Sequence, residues 1–491
     1  MPVAFYASDC SLLIPEGHDC MGRNDYLDFR AAQKRNSYRR RRRHPLPLLV
    51  LLILIIGIIV GTVLLLGTEN ASQNGETSTT GTPTPELTPT PTAAPVLPTP
   101  TPPAEGLNSE EKKEMTQGPF GLWEPTASPT PTIAIPEGEV IWMADYVDKR
   151  TPVEAKGVYV SSDVAKDSAY MEELLYYLDT TELNSVVIDV KADSGAIVYA
   201  MENETAKEIG ALRSIVNIPK IVKTLKEHGV YVIARLVAFK DPILAKAKPE
   251  LSFYNKDGSK FYDTSNSAWV SPYKQEVWEY LASVGISCAE VGFDEINFDY
   301  MRFPTDGVAN IDWGEESATK TKTEAITEGI KYLCETLRMH DVYVSADVYG
   351  IVISSKVDAA AVGQDYKEMS RYLDYICPMI YPSHYGFGYA GIDYPDKEPA
   401  KIIKLALQAS NKKIAEIPEY QHRAICRPWL QDFTASYLGS KNGVQRYMEY
   451  DAAVLRIEME ATYECGLTDW FLWNAGGTYT EDAWLPEESV K

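Results

Sequence analysis

The stretch that decides the fold is Phe293-Asp294-Glu295-Ile296-Asn297-Phe298-Asp299, in which apolar and polar side chains alternate. Such alternation predicts a β-strand whose successive side chains point to opposite faces. Ile296 and Phe298 then lie against helices, whereas Glu295, Asn297 and Asp299 share the other face. Two acids and an amide on one face of a buried strand indicate the lumen of a barrel. Asp299 lies at the carboxyl end of the strand, where barrel enzymes place their chemistry.

The same texture recurs along the C-terminal two-thirds of the chain. Short β-branched runs alternate with amphipathic segments of helical length, among them 168–178, 218–228 and 274–291. Eight such units predict an α/β fold, specifically a (β/α)8 TIM barrel. The alternative is an open doubly wound sheet, which the lack of a G-x-G-x-x-G motif after the first strand disfavours. The predicted strands are 157–161, 185–190, 230–239, 293–303, 342–349, 374–381, 423–428 and 468–474.

Other strands also direct charged side chains to the lumen. By the same alternation, the fifth strand places Asp347 inside and the second places Asp189 and Lys191 there, and in the third strand Arg235 shares a face with Ile233 and Val237. The alternative is a structural ion network in which the basic side chains neutralise the acids.

A pair of carboxyl groups is the minimum equipment for glycoside hydrolysis, because one protonates the leaving oxygen while the other attacks carbon or activates water. Asp299 and Asp347 lie on adjacent predicted strands, so we predict that they are the catalytic pair. Four charged residues are predicted to bind substrate beside them: Asp189, Lys191, Arg235 and Arg302.

Aromatic and amide side chains follow the sixth and eighth strands. Tyr381 and His384 follow the sixth, and Trp473 stands beside Asn474 at the end of the eighth. Aromatic faces stack on the apolar faces of sugar rings, so these four residues are predicted to bind substrate. The alternative for each is ordinary packing. Further aromatic residues near the strand ends are Tyr300, Tyr385 and Trp429.

Several other chemistries are disfavoured. The chain has six histidines and lacks the H-E-x-x-H, G-x-S-x-G and P-loop motifs. No cofactor or metal is predicted, although a divalent site built from Asp189, Asp299 and Asp347 stays open. The net charge of −22 argues against a nucleic-acid partner.

Motifs spread over the predicted barrel resemble those of a bacterial family named "putative glycosyl hydrolase domain". They are Gly292-Phe-Asp-Glu-Ile-Asn-Phe-Asp-Tyr-Met-Arg-Phe-Pro304, Asp189-Val-Lys191 with Gly195, Ile233-Ala-Arg235 with Phe239-Lys-Asp-Pro242, Trp269-Val-Ser-Pro-Tyr273, Ser345-Ala-Asp-Val-Tyr-Gly350 and Arg427-Pro-Trp-Leu-Gln-Asp432. The resemblance implies a barrel related to alpha-amylases and alpha-galactosidases, with Asp299 as the nucleophile and Asp347 as the acid/base. Amylase-type enzymes usually use Glu as the acid, where this chain has Asp. Arg427, in the last motif, is predicted to bind substrate.

The N-terminal third has a different composition. Residues 46–67 are uncharged and largely aliphatic, long enough to span a bilayer, and five arginines at 39–43 precede them. We predict a cytoplasmic basic tail at 1–45, a transmembrane helix at 46–67 and a disordered, extracellular Thr/Pro-rich linker at 68–152. The barrel domain follows at 153–491. The alternative for the apolar segment is a cleaved signal peptide.

These features predict a glycoside hydrolase anchored in the cell membrane by a single span, with its N-terminus in the cytoplasm and its barrel outside. The residues from Pro45 onward include 38 basic and 64 acidic side chains, a net charge of −26. The predicted partners are the membrane, through 46–67, and a cell-wall or environmental polysaccharide. One alternative is a surface carbohydrate-binding barrel without catalysis, and another is a structural wall-attached protein.

Overall fold

The computed structural model describes residues 115–117, 123–125 and 134–487. The predicted tail at 1–45 and the predicted span at 46–67 lie outside this part of the chain. Within the described residues, no helix combines the length and the apolar character needed to cross a membrane. Two compact units are present, and the unit comprising 42–135 contributes an antiparallel hairpin of Met115–Gln117 with Trp123–Pro125.

The larger unit contains a closed barrel of eight parallel strands. The strands are β1 (Lys156–Val160), β2 (Ser185–Lys191), β3 (Tyr231–Val237), β4 (Glu295–Asp299), β5 (Tyr343–Tyr349), β6 (Tyr375–Met379), β7 (Trp429–Gln431) and β8 (Trp470–Trp473). Each strand pairs with the next along the chain, and β8 pairs with β1. The predicted (β/α)8 barrel is confirmed, because an open doubly wound sheet would leave two unpaired edges.

Helices cover the outside of the barrel. The long helices and the helix after β5 are α1 (Ser168–Thr180), α2 (Ile218–Glu227), α3 (Gln275–Val291), α4 (Lys322–Arg338), α5 (Lys356–Val362), α6 (Pro399–Ala415) and α7 (Ala452–Glu464). Shorter helices occupy Ser162–Ala165, Glu204–Glu208, Pro242–Ala247 and Tyr366–Met369.

Local sequence explains where these helices begin and end. Asp167 caps α1 by accepting the backbone N–H of Ala169, and Thr321 forms a capping box with Glu324 at α4. Gly292 ends α3 with a φ of +107°, a conformation that only glycine adopts readily.

Two predicted strands differ from the observed ones. The fourth ends at Asp299 rather than 303, because Tyr300 adopts a φ of +51° and turns the chain. The seventh is broken, because Pro428 has no N–H to donate to a ladder. Ile425–Cys426 pairs with the start of β6, and β7 itself begins after the proline.

The apolar core divides into two parts. One lies between the strands and the helices and includes the outward-facing Ile296 and Phe298, as the alternation predicts. The other fills the lumen and includes Val187, Ile233 and Trp429. The inward face of each strand therefore packs separately from its outward face.

The segment just before β1 packs at the amino-terminal end of the barrel. The unit that holds the barrel includes the chain from Pro136 onward. Trp142 donates its indole N–H to Glu335 near the end of α4, and the Arg338 guanidinium lies 4.3 Å from its ring centre. Arg150 bonds to the carbonyl of Val342, just before β5. These contacts lie at the opposite end of the barrel from Asp299.

Candidate active site

Asp299 and Asp347 stand on the inward faces of β4 and β5, as predicted. Both side chains are largely buried, with 8 % and 3 % of each residue exposed. Asn297 and Ser345, one alternation below them on the same two strands, are fully buried and joined by a 3.1 Å hydrogen bond. Asn297 and Ser345 are partners in the register of β4 and β5, so Asp299 and Asp347 lie side by side two residues further toward the carboxyl ends.

Arg235 joins two of the lumen acids. One terminal nitrogen of its guanidinium donates to Asp189 at 2.5 Å, and the other forms an ion pair with Asp299. Tyr159, on the inward face of β1, donates its hydroxyl to the second oxygen of Asp189 at 2.5 Å. A continuous chain of charge-assisted hydrogen bonds therefore runs from β1 through β2 and β3 to Asp299 on β4.

Asp347 has a different set of partners. Its Oδ1 accepts hydrogen bonds from the Asn297 amide at 2.9 Å and from the Trp429 indole N–H at 2.7 Å. Burial, followed by the nearby charge of Asp299, raises the pKa of Asp347 to about 8. Asp347 is therefore mostly protonated at neutral pH, while its neighbour Asp299 is paired with a guanidinium.

A strained residue follows Asp299. Tyr300 has a φ of +51°, which is rare for a bulky side chain, and its backbone N–H donates to Asp299 Oδ1 at 2.5 Å. Such strain persists where the surrounding structure holds the residue firmly, as active sites often do. The turn fixes the carboxyl group of Asp299 from its own backbone as well as from Arg235.

Arg302 lies beyond this turn among three aromatic rings. Its guanidinium carbon is 5.0 Å from the ring centre of Trp269, 5.2 Å from that of Tyr300 and 4.9 Å from that of Tyr349. It also donates to the carbonyl of Phe303 at 3.0 Å. The structure thus places Arg302 next to the Asp299 turn, held by cation–π contacts.

Aromatic side chains surround the acids. Trp473 stacks on Tyr159 with ring centres 4.3 Å apart, and Trp429 meets Trp473 edge-on. Trp473 is partly exposed, whereas Trp429 is only 1 % exposed and cannot receive a sugar ring. Trp429 instead donates a hydrogen bond to Asp347.

A second aromatic group follows β6. Tyr381 lies 5.1 Å from His384 and 5.9 Å from Phe433, measured between ring centres. Burial lowers the pKa of His384 to about 4, so the imidazole is neutral at physiological pH. A neutral His384 can accept or donate a hydrogen bond to a sugar hydroxyl without adding charge.

The structure places three predicted substrate-binding residues elsewhere. A register shift between Asp189 and Lys191 turns Lys191 outward, where its ammonium pairs with Asp241 at 2.8 Å and both side chains are fully buried. Arg427 pairs with Glu295 at 2.9 Å and with Asp469 at 3.0 Å in the lower lumen. Asn474 donates to the carbonyls of Asp432 and Thr478, which shapes the loop after β8.

Tyr159 and Asn297 bond to the lumen acids but are not among the predicted site residues. Tyr159 stands between outward-facing Val158 and Val160, so the alternation in β1 marks it as lumen-facing. Asn297 was predicted to face the lumen, but nothing in its local sequence indicates a bond to Asp347. The three-aspartate divalent site is disfavoured, because the Arg235 guanidinium bridges Asp189 and Asp299. Within 134–487, no group of three acidic, histidine or cysteine side chains is arranged to hold a metal ion.

Residues 157–479 match the sequence profile of the family described as "putative glycosyl hydrolase domain". The chain belongs to this family. Its barrel is accordingly a glycosyl hydrolase domain, and the resemblance carried by the six motifs is confirmed. No curated protein matches the sequence.

Solved structures with a similar fold include three of bacterial origin. A hypothetical protein from Ruminiclostridium thermocellum is 34 % identical, covering 39 % of this chain and 97 % of its own, with a TM-score of 0.37. The glycoside hydrolase domain of PgaB from Bordetella bronchiseptica is 16 % identical. The match covers 66 % of this chain and 95 % of that domain, with a TM-score of 0.46. The spore cortex-lytic enzyme SleL of Bacillus megaterium is 13 % identical. The match covers 68 % of this chain and 74 % of that enzyme, with a TM-score of 0.40.

Proposed function

We propose that this glycosyl hydrolase domain cleaves a glycosidic bond of a substrate that binds between the side chains of Asp299 and Asp347. Asp299 is the nucleophile and Asp347 is the acid/base. The observation that carries the proposal is the contrast between these neighbouring carboxyl groups. Asp299 is paired with the Arg235 guanidinium, whereas burial and the charge of Asp299 raise the pKa of Asp347 to about 8. A protonated carboxyl group beside a second carboxyl group that is paired with a cation suits acid-assisted glycoside cleavage.

The proposed reaction has two steps. Asp347 first donates its proton to the leaving oxygen while Asp299 attacks the anomeric carbon, which breaks the glycosidic bond and forms a glycosyl ester. The ester removes the negative charge of Asp299, which is one cause of the raised pKa of Asp347. The pKa of Asp347 then falls, so its carboxylate can take a proton from the water that hydrolyses the ester. The proton returns to Asp347 and both groups are restored.

Surrounding residues position the substrate and the nucleophile in this proposal. Arg235, held by Asp189, fixes the orientation of the attacking carboxylate. Trp473 and His384 are both partly exposed and are suited to contact sugar rings, and Tyr381 packs edge-on against His384. Lys191, Arg427 and Asn474 are left out, because their polar groups are engaged elsewhere.

We also propose that the domain acts outside the cell on a cell-wall or environmental polysaccharide, held to the membrane by residues 46–67. The uncharged length of this segment and the arginines at 39–43 support the anchor and its orientation. The strongly acidic barrel supports a partner other than nucleic acid.

The test of the catalytic pair is Asp299→Asn in the full chain, assayed against a panel of nitrophenyl glycosides and cell-wall polysaccharides. The amide cannot attack carbon, so turnover should fall by at least about 10³-fold while the circular dichroism spectrum is unchanged. Asp341→Asn is the matched control, since Asp341 is exposed, lies just before β5 at the opposite end, and has a φ of +58° that Asn also tolerates. Equal activity in both variants would remove Asp299 from the mechanism. Glycan binding by the wild-type chain without any product would favour a carbohydrate-binding protein.

A further inference from the structure

We propose that Trp429 and Asn297 are positioning residues that hold the proton of Asp347 on Oδ2. The inference deepens the proposed function and rests on Asp347 being the acid. Both residues donate to the same oxygen, Oδ1, at 2.7 Å from the indole and 2.9 Å from the amide. An acid that must deliver a proton to one place gains from having only one oxygen that can carry it.

The indole of Trp429 determines which oxygen of Asp347 carries the proton. Trp429 Nε1–H is a donor and never an acceptor, and together with the Asn297 amide it occupies both lone-pair directions of Oδ1, so a proton on Oδ1 would displace one of the two donors. The amide of Asn297 could be turned to present its oxygen, but the indole has no alternative orientation of this kind. The proton of the neutral acid therefore resides on Oδ2, and Oδ1 remains an acceptor.

Trp429 is rigid enough to impose this choice. It begins β7, is paired in register with Met379 on β6 and with Phe471 on β8, and is only 1 % exposed. Its ring packs 4.8 Å from Phe471 and edge-on against Trp473. A side chain enclosed in this way keeps one rotamer, so its donor stays aimed at Asp347.

Asn297 connects the acid to the strand of the nucleophile. Its amide donates to Ser345, two residues before Asp347 on β5, as well as to Asp347 itself. Asn297 is fully buried and lies two residues before Asp299 on β4. The same amide thus fixes the acid relative to the residue that attacks on the other side of the bond.

Trp429→Phe is the main test, because it removes the N–H and keeps an aromatic ring. Trp470→Phe is the matched control: Trp470 is equally buried on β8, but its N–H bonds to Tyr463 in the helical layer. Loss of a donor that favours the charged form should raise the pKa of Asp347 in Trp429→Phe. We expect the alkaline limb of kcat/KM to move upward by about 0.5 pH unit or more in that variant and to stay in place in Trp470→Phe.

The leaving group provides a second readout. A misplaced acid should slow cleavage of alkyl glycosides by about tenfold or more, but should affect nitrophenyl glycosides much less, because nitrophenolate leaves without protonation. A purely structural role for Trp429 would lower both rates equally. If Trp429→Phe fails to fold, Asn297→Ala should show the same two changes.

Titration of Asp347 by carbon NMR, in the full chain labelled at aspartate carboxyl groups, separates this inference from the proposed function. Asp347→Asn identifies the resonance, and no substrate is needed. An unchanged pKa of Asp347 in both Trp429→Phe and Asn297→Ala would overturn the positioning role, whatever the activity. A wild-type chain that turns over no glycoside, with the pKa shift present, would instead overturn the proposed function.

Discussion

Three aspartates of one lumen have different partners, although they are chemically identical. Asp189 is held between a tyrosine hydroxyl and a guanidinium, Asp299 is held by the same guanidinium and by the backbone N–H of Tyr300, and Asp347 accepts hydrogen bonds from two neutral N–H donors. Burial and the nearby charge of Asp299 raise the pKa of Asp347 to about 8, and its two neutral donors only partly oppose this shift. Partners, rather than residue type, therefore distinguish the proposed acid from the proposed nucleophile.

Asp347→Asn should make protein stability less dependent on pH. In the wild type the folded chain keeps the Asp347 proton up to about pH 8, whereas an aspartate in the unfolded chain loses its proton near its ordinary pKa of 3.8. Folding then takes up a proton between these values, so stability falls as pH rises, by ~1.4 kcal/mol per pH unit at most. Asparagine has no such proton.

The free energy of unfolding of Asp347→Asn, relative to wild type, should thus increase by about 1–3 kcal/mol between pH 5 and pH 7. Urea denaturation at both pH values measures this difference, with Asp341→Asn as a control that should follow the wild type. A difference that stays constant with pH would mean that Asp347 is ionised in the folded protein.

Two strands depart from regular alternation, and each departure changes the direction of one buried side chain. The register shift at the end of β2 sends Lys191 to the helix layer, opposite the face that alternation predicts. The proline between the two pieces of the seventh strand sets Trp429 at the start of β7, where it reaches Asp347. Such irregularities are common next to barrel active sites because they re-aim single side chains.

Lys191→Met is expected to destabilise the domain by about 3–5 kcal/mol, because the buried Asp241 loses its only ion-pair contact within the described residues. The double variant with Asp241→Asn should recover part of this loss. In folded protein, kcat/KM should be close to that of wild type, since the ammonium faces away from the lumen. Denaturation and kinetics measured on the same samples check both statements. Unchanged stability with lost activity would instead support the sequence-based assignment of Lys191 to substrate binding.

At the scale of the whole barrel, the lumen acids and the segment that leads into β1 lie at opposite ends. The acids lie at the carboxyl ends of the strands, whereas Trp142 and Arg150 pack at the amino ends, against α4 and the start of β5. The residues just before β1 therefore contact the amino ends of the strands, and the acids lie at the carboxyl ends.

The anchor proposal predicts that the full chain stays with membranes after an alkaline carbonate wash. A chain lacking 46–67 should be released, because no helix within 134–487 could replace the lost span. Protease added to intact cells should digest the barrel only in the anchored chain. Retention of the deleted chain in the washed membranes would show that another segment provides the attachment.

The sequence alone determined the barrel and the location of its acids. Alternation and helix caps are local properties of the backbone, so they predicted the strands and the inward direction of Asp189, Asp299 and Asp347. The family motifs pointed to glycoside hydrolysis through the same residues, and the family is confirmed. The catalytic roles of Asp299 and Asp347 stay predictions.

Only the tertiary structure decided which partners these acids have. The donor that fixes Asp347 comes from Trp429, 82 residues along the chain, and the cation that neutralises Glu295 comes from Arg427, 132 residues away. Closure of the barrel and the stagger of its strands bring such residues together. The periodicity of a single segment predicts neither the closure nor the stagger. A single shift of register was enough to turn Lys191 from the lumen to the helix layer, because side chains alternate with a period of two.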